Sequence, residues 1–291
     1  MNATTNRKPA IEVSRAAHLG MCFGVRDAIK LTEQALEEGE VTILGDLVHN
    51  EAVIQDLSAR GARFEGRVED VTTREVIITA HGASEKRIRE VKERGHSVRE
   101  ATCPLVRFAH ESVHELARKG YFPVVIGRPG HVEVVGLTED LADYAIIQKE
   151  EDIPRMRSRP RFGVAAQTTQ PISKVQRYVG LIRRQFPDSE VRFVDTVCRP
   201  TKQRQESAIE LARDSDVVIV IGGANSNNTH ELMRTSRRHC GRVHHVQSAS
   251  EMEAGWFRDG DKVGITAGTS TPEVLIRGVE SWLQDHFDRP S

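Results

Sequence analysis

The sequence predicts an α/β protein made of three similar small modules with mostly parallel sheets. Two observations predict this. Short, continuously apolar runs alternate along the chain with amphipathic helical stretches, the pattern of strands covered on both faces. Three cysteines, Cys22, Cys103 and Cys198, each follow an apolar run or its end and precede a helical stretch. The intervals between them are each close to the size of a small α/β module, so each module would place one cysteine at a strand-to-helix turn, where open α/β sheets build their sites.

The strands expected in order are residues 11–13, 41–44, 76–80, 122–126, 144–147, 162–166, 191–194, 217–221, 243–246 and 262–267. Helical stripes between them carry Val25, Ile29 and Ala35–Leu36, then Ile209, Leu211 and Ala212, then Val274, Leu275, Val279 and Leu283. The charged, Pro-containing stretch 149–161 reads as a surface loop with a short helix. The expected division is a disordered head over 1–10, modules over 11–100, 101–196 and 197–286, and a tail over 287–291.

Composition narrows the function. The 291 residues are 38% hydrophobic and 29% charged, as in a globular protein rather than a disordered one. Lys plus Arg number 41 and Asp plus Glu 42, for a net charge of -1. Neither a nucleic-acid partner nor a basic membrane surface is expected from that balance. No apolar run approaches the roughly 20 residues of a membrane span. The polar N-terminus lacks the apolar core of a signal peptide, so a cytoplasmic location is expected. In a reducing compartment cysteines are free, catalytic or metal-bound.

Cys22 lies in Gly20-Met21-Cys22-Phe23-Gly24, Cys103 in Ala101-Thr102-Cys103-Pro104, and Cys198 in Asp195-Thr196-Val197-Cys198-Arg199-Pro200. Glycines around Cys22 allow close approach of a bulky group, and Pro104 suits a first helical turn. A helix N-terminus favours a thiolate, the metal-binding form. Three thiolates suit a [4Fe–4S] cluster with one iron left open for a substrate, since full ligation takes four. The competing reading is three buried small side chains. Cys240, in His239-Cys240-Gly241, reads as a helix C-terminus with a glycine cap and is left out of the site.

Polar residues gather at strand ends. His49, His81 and His131 each sit at or just beyond the C-terminal end of an expected strand. Glu133, two residues after His131, would share a face with it in an extended segment and make a proton-delivery pair. Thr168, in Gln167-Thr168-Thr169, would orient a substrate group or relay a proton, or else cap a helix. Two loops pair glycines with hydroxyl and amide donors before a helix: Gly222–Thr229, with Ser226, Asn227 and Asn228, and Thr266–Pro272, with Ser270. Each suits a phosphate or diphosphate, with ordinary N-capping as the alternative. Neither fits the spacing of an ordinary nucleotide site.

Taken in order, these segments resemble the 4-hydroxy-3-methylbut-2-enyl diphosphate reductase family, from about Ile11 to His286. The resemblance rests on Gly20–Val25, Val48-His49-Asn50, Ala80-His81-Gly82, Ala101–Val106, His131–Val134, Gln167-Thr168-Thr169, Cys198 with Arg204-Gln205-Glu206, Asn225–Asn228 and Thr266–Pro272. It implies a pseudo-threefold α/β fold around a central [4Fe–4S] cluster held by Cys22, Cys103 and Cys198. It implies diphosphate ligands at His49, His81, Ser226, Asn228 and Ser270, with Asn227 beside them. His131, Thr168 and Glu133 would surround the substrate hydroxyl, with Glu133 the proton source. The implied reaction is reductive loss of that hydroxyl to give isopentenyl and dimethylallyl diphosphate, with electrons from ferredoxin or flavodoxin.

The chain departs from the family pattern in two places. It reads His131-Val132-Glu133 where the family reads His-Pro-Glu, and Asn225-Ser226-Asn227-Asn228 where the family reads Asn-Ser-Ser-Asn. These leave room for a paralogue: a cluster-dependent hydro-lyase without redox change, or a non-catalytic cluster or zinc module that binds an acidic ligand.

Overall fold

A computed structural model of the chain describes residues 9–288. In order, the strands are β1 (Glu12–Arg15), β2 (Val41–Leu44), β3 (Arg63–Glu65), β4 (Glu75–Ile78), β5 (Ser97–Glu100), β6 (Phe122–Ile126), β7 (Ala145–Ile147), β8 (Arg161–Ala166), β9 (Glu190–Phe193), β10 (Val217–Ile221), β11 (Arg242–Val246) and β12 (Lys262–Ala267). The α-helices are α1 (Phe23–Glu38), α2 (Glu51–Ala59), α3 (Glu85–Glu93), α4 (Pro104–Arg118), α5 (Val132–Thr138), α6 (Ile172–Gln185), α7 (Arg199–Arg213), α8 (Asn227–Ser236) and α9 (Glu273–His286). A 3-10 helix at Glu150–Arg155 lies in the charged stretch where a loop with a short helix was expected.

The strands form three four-stranded sheets, ordered β3-β2-β4-β5, β7-β6-β8-β9 and β1-β12-β10-β11. All pairings are parallel. The first two follow one rule: the second strand flanks the first, and the third and fourth extend the other side. The last sheet follows the same rule with β10, β11 and β12, but its fourth place is filled by β1, paired with β12 from Glu12 beside Lys262 to Arg15 beside Ile265. The expected module 11–100 therefore loses its first strand to the sheet expected within 197–286. Strand periodicity records which faces are apolar, not which partner a strand finds.

The chain divides into two compact units, one from its N-terminal segment through Cys22 together with Pro200 onward, the other Phe23–Arg199. The first holds the β1-containing sheet and the second holds the other two. Most of the expected head lies outside the described residues, but Ala10 forms a parallel bridge with Asp288, at the edge of the expected tail.

In the first unit, the fully buried β10 shows why its sequence is unbroken Val and Ile. Val217, Ile219 and Ile221 enter a core with Ile276, Val279 and Leu283 of α9. Val218 and Val220 enter another with Ala208 and Ala212 of α7 and Leu232 of α8. Successive side chains point to opposite faces, and both faces are covered. The second unit repeats the arrangement: Val124, Ile126, Val164 and Ala166 pack with α6, while Val125 and Ala165 pack with α4 and α5. In its other sheet, Val76 and Ile78 pack with Ile88 and Val91 of α3.

Candidate active site

The histidines come together in the Phe23–Arg199 unit. His49 follows β2, and its neighbour Asn50 caps α2 by accepting the Val53 N–H at 3.3 Å. His81 follows β4 in a turn whose next residue, Gly82, has φ +73°, a conformation that favours glycine. His131 caps α5, its Nδ1 accepting the Glu133 N–H at 3.1 Å. The His49 and His81 rings stack at 4.2 Å between centroids, and His131 meets both edge-on at 5.0 and 5.8 Å. His49 Nε2 and His131 Nε2 lie 3.3 Å apart.

These contacts assign protons. His131 Nδ1 is occupied as an acceptor, so neutral His131 carries its hydrogen on Nε2, facing His49 Nε2. That leaves His49 Nδ1 to carry its hydrogen toward Asp46 Oδ2, 3.8 Å away. Burial, then the neighbouring His49, pushes His131 down to about 3. Burial followed by His49 and His131 holds His81 well below the ordinary imidazole value. Its Nδ1 is buried without a hydrogen-bond partner among the described residues. His81 and His131 are thus held in the neutral form, closely packed against His49.

Glu133 is 1% exposed. Thr168 holds both of its oxygens: the backbone N–H donates to Oε1 at 2.6 Å and the hydroxyl to Oε2 at 3.0 Å. Burial outweighs both hydrogen bonds and pushes the carboxyl up to about 7. The expected pairing through an extended His131–Glu133 segment is corrected, because the chain turns helical at Val132 and the i, i+2 rule for strands does not apply. The two residues are linked instead by the backbone cap, with the carboxyl directed to Thr168.

Each candidate cysteine is tied to a loop that carries other candidates. The Cys103 N–H donates to Ala80 O at 3.1 Å, beside His81, and the Cys198 N–H donates to Thr168 O at 3.0 Å. In the other unit, the Cys22 N–H donates to Thr269 O at 2.9 Å. All three are half-buried and directly precede or cap a helix: Cys22 before α1, Cys103 as the cap of α4, Cys198 before α7. Cys240 is buried, and its thiol donates toward the carbonyls of Asp216 and Arg242 at 3.3 and 3.4 Å. The helix expected to end at Cys240 ends earlier, at Ser236, so local bonding rather than a glycine cap keeps this thiol apart.

The two glycine loops lie in the first unit. Ser226 caps α8 by accepting the Thr229 N–H at 3.3 Å, and Asn227 and Asn228 form its buried first turn. Asn228 Oδ1 accepts the Thr269 N–H at 3.0 Å, whereas its Nδ2 is buried without a partner among the described residues. Ser270 is 4% exposed in the adjoining loop. Gly222 and Gly268 both approach Thr229 so closely that a Cβ on either would fall 2.3 Å from its Oγ1. A pair of buried amide and hydroxyl groups at a helix N-terminus, one donor unspent, suits an anion.

An iron–sulfur cluster is tested by donor chemistry and space. The sulfur set is right for iron, and Gly24 supplies room: a Cβ there would lie 2.3 Å from Cys103 Sγ. By donor chemistry the three thiols fit the group. Among the described residues, no three His, Cys, Asp or Glu side chains are gathered closely enough to hold a metal ion. Residues left without a role by sequence reasoning are Asp46 and Arg204. Only Arg204 carried a signal, as the cationic residue that opens the Arg204-Gln205-Glu206 segment shortly after Cys198.

Among the described residues, no helix is long and apolar enough to cross a membrane. The family described as LytB protein matches residues 13–284. The chain is 37% identical to a 4-hydroxy-3-methylbut-2-enyl diphosphate reductase of Aquifex aeolicus (strain VF5), over 94% of this chain and 96% of that one. It is 36% identical to the protein of that name from Geobacter sulfurreducens, over 96% and 98%. A solved (E)-4-hydroxy-3-methyl-but-2-enyl diphosphate reductase superposes with TM-score 0.67 at 37% identity, over 94% of this chain and 99% of that one. A Plasmodium falciparum structure, an E-1-hydroxy-2-methyl-but-2-enyl-4-diphosphate reductase, shares the fold with TM-score 0.88 at 24% identity, over 97% and 91%. By sequence across nearly its whole length, the chain belongs to the LytB protein family.

Proposed function

We propose that the protein reduces 4-hydroxy-3-methylbut-2-enyl diphosphate to isopentenyl and dimethylallyl diphosphate, consuming two electrons and two protons and releasing water. The observation that carries this reading is the buried Glu133, gripped by Thr168 and joined through His131 to the packed His49 and His81. The relatives above all carry the reductase name, which disfavours the hydro-lyase and non-catalytic alternatives.

Cys22, Cys103 and Cys198 would hold a [4Fe–4S] cluster, which when bound supplies electrons and a Lewis acid for the departing hydroxyl. The chain's own residues do the rest. Glu133, pushed up to about 7, is protonated in a useful fraction near neutral pH and delivers a proton to the leaving oxygen. Thr168 fixes that carboxyl, and His131 would reach the same hydroxyl only by giving up the Nε2 contact it makes with His49. The candidate diphosphate ligands would be His49 and His81 among the packed imidazoles, and Ser226, Asn227, Asn228 and Ser270 in the two glycine loops. Dianionic phosphate beside the imidazoles favours their protonation, which strengthens the hold. A low-potential carrier of the ferredoxin or flavodoxin kind would supply electrons, in the cytoplasm.

The test is an anaerobic assay of the iron-loaded protein with the hydroxylated C5 diphosphate and a reduced low-potential donor. The two C5 diphosphates should form only with the reductant present. Iron-loaded protein that gives no product, or that dehydrates substrate without reductant, would overturn the assignment.

A further inference from the structure

Arg204 is buried, 7% exposed, on the second turn of α7, one and a half turns beyond Cys198. Its Nε–H and Nη2–H both donate to a single carbonyl, Gly20 O, at 3.0 and 2.6 Å. Its Nη1–H donates to Pro200 O at 3.1 Å, at the start of the same helix. Burying a guanidinium, which stays charged, is costly unless its donors are met. Here three of its N–H groups go to main-chain oxygens of two segments, each within two residues of a candidate cluster cysteine.

The Gly20–Cys22 segment is otherwise held through its N–H groups. Gly20 N–H donates to Ala267 O at 3.1 Å and Cys22 N–H to Thr269 O at 2.9 Å. Gly20 has φ +72°, and a Cβ there would meet Ile276 Cδ1 at 2.9 Å, so the turn admits glycine and little else. Arg204 takes the carbonyl face of this turn while the loop with Thr269 and Ser270 takes the amide face. It therefore joins the Cys22 turn, the start of the helix after Cys198 and, through that turn, the glycine loop of β12.

We infer that Arg204 is a positioning residue that sets the direction of the Cys22 thiolate relative to the start of α7 and so governs cluster loading. The inference rests on the reading that these cysteines hold the cluster. Its forked geometry does what a lysine cannot, because two donors of one rigid plane converging on one oxygen fix orientation as well as distance.

The test compares wild type, Arg204→Gln and Arg204→Lys as full chains. Iron and sulfide per chain are measured after anaerobic reconstitution, with the cluster's electron paramagnetic resonance signal. The rate of Cys22 alkylation in the metal-free chain is measured by mass spectrometry, with buried Cys240 as internal reference. Arg204→Gln should alkylate at Cys22 about tenfold faster relative to Cys240, the scale of a lost charge-assisted hydrogen bond, and load less iron. Arg204→Lys should recover loading in part but keep an altered signal, since it restores charge without the fork. Unchanged Cys22 reactivity, iron content and signal in Arg204→Gln would overturn the inference. If Arg204→Gln fails to fold, Arg204→Lys decides on the same readouts. Wild-type chain that takes up no iron would defeat the cluster reading instead, which keeps the two failures apart.

Discussion

The Thr168 backbone N–H and hydroxyl together close on both oxygens of Glu133, at 2.6 and 3.0 Å, where the residue is only 1% exposed. The acid is thus fixed in position while burial keeps it near the point of half-protonation. Glu133→Gln keeps the shape and a donor but removes the transferable proton. Turnover should fall by about 10²–10⁴-fold, the usual worth of a positioned general acid, with iron content unchanged. Thr168→Val keeps the backbone bond and loses the hydroxyl, so its loss should be smaller. Steady-state rates beside iron analysis check both, and a Glu133→Gln enzyme of normal rate would remove the residue from the proton path.

The same group sets a pH limit. With its pKa near 7, Glu133 loses its proton as pH rises through neutrality, so turnover should decline above about pH 7, tending to tenfold per unit. Stability carries a matching sign. The folded value lies above the ordinary 4.5, so the contribution is full below about 4.5 and is lost as pH rises through about 7. At most about 3 kcal/mol is involved. Wild type should therefore lose stability against Glu133→Gln over that window. His131 has the opposite sign: its folded value, about 3, lies below the ordinary 6.5. Its contribution is present above 6.5 and is lost as pH falls toward 3. Denaturant melts of wild type, Glu133→Gln and His131→Asn at pH 5 and 8 separate the two slopes.

Gly24 and Cys103 make a third test. A Cβ at position 24 would fall 2.3 Å from Cys103 Sγ and 2.9 Å from its Cβ. Gly24 lies in the first turn of α1, where alanine is the better helix former by about 1 kcal/mol. Gly24→Ala should therefore load markedly less iron while the helix itself gains propensity. Iron per chain after reconstitution, read beside far-ultraviolet circular dichroism, distinguishes a displaced thiol from a disrupted fold. Full loading in Gly24→Ala would show that Cys103 has room to move without cost to the site.

How much of this was readable from sequence depends on where each residue sits. Interior strands such as β10 announce themselves because both faces are apolar. β3 and β5 escaped notice because they are the two edges of their sheet and carry polar sequences, Arg63-Phe64-Glu65 and Ser97-Val98-Arg99-Glu100, as exposed edges do. The strand-end positions of His49, His81 and His131 were visible. Their convergence was not, because His49 and His81 come from one sheet and His131 from another. Glu133 was found by a strand argument that the α5 start makes invalid, whereas Thr168, set beside it only by the family resemblance, does hydrogen-bond to it. The assignment of β1 to the last sheet was beyond pattern reading, since nothing in Glu12–Arg15 names β12.

Asn228 offers the sharpest probe of the anion loops. Its Oδ1 is committed to the Thr269 N–H at 3.0 Å, and its buried Nδ2 has no partner among the described residues, so the amide holds the loop with one end and presents a donor with the other. Asn228→Asp preserves the first contact and replaces the donor with a charged oxygen. Pyrophosphate affinity should fall by about 10²-fold, from a lost donor together with repulsion between like charges. The thermal midpoint should move far less than it would if the loop contact were broken. Asn227→Ser, which restores the family's Asn-Ser-Ser-Asn pattern, should change affinity only slightly if that departure is a tolerated variation. Titration calorimetry with pyrophosphate reads both variants. Unaltered binding in Asn228→Asp would mean that the open Nδ2 faces something other than the ligand, and the diphosphate would then have to be held by Ser226, Asn227 and Ser270 alone in this unit.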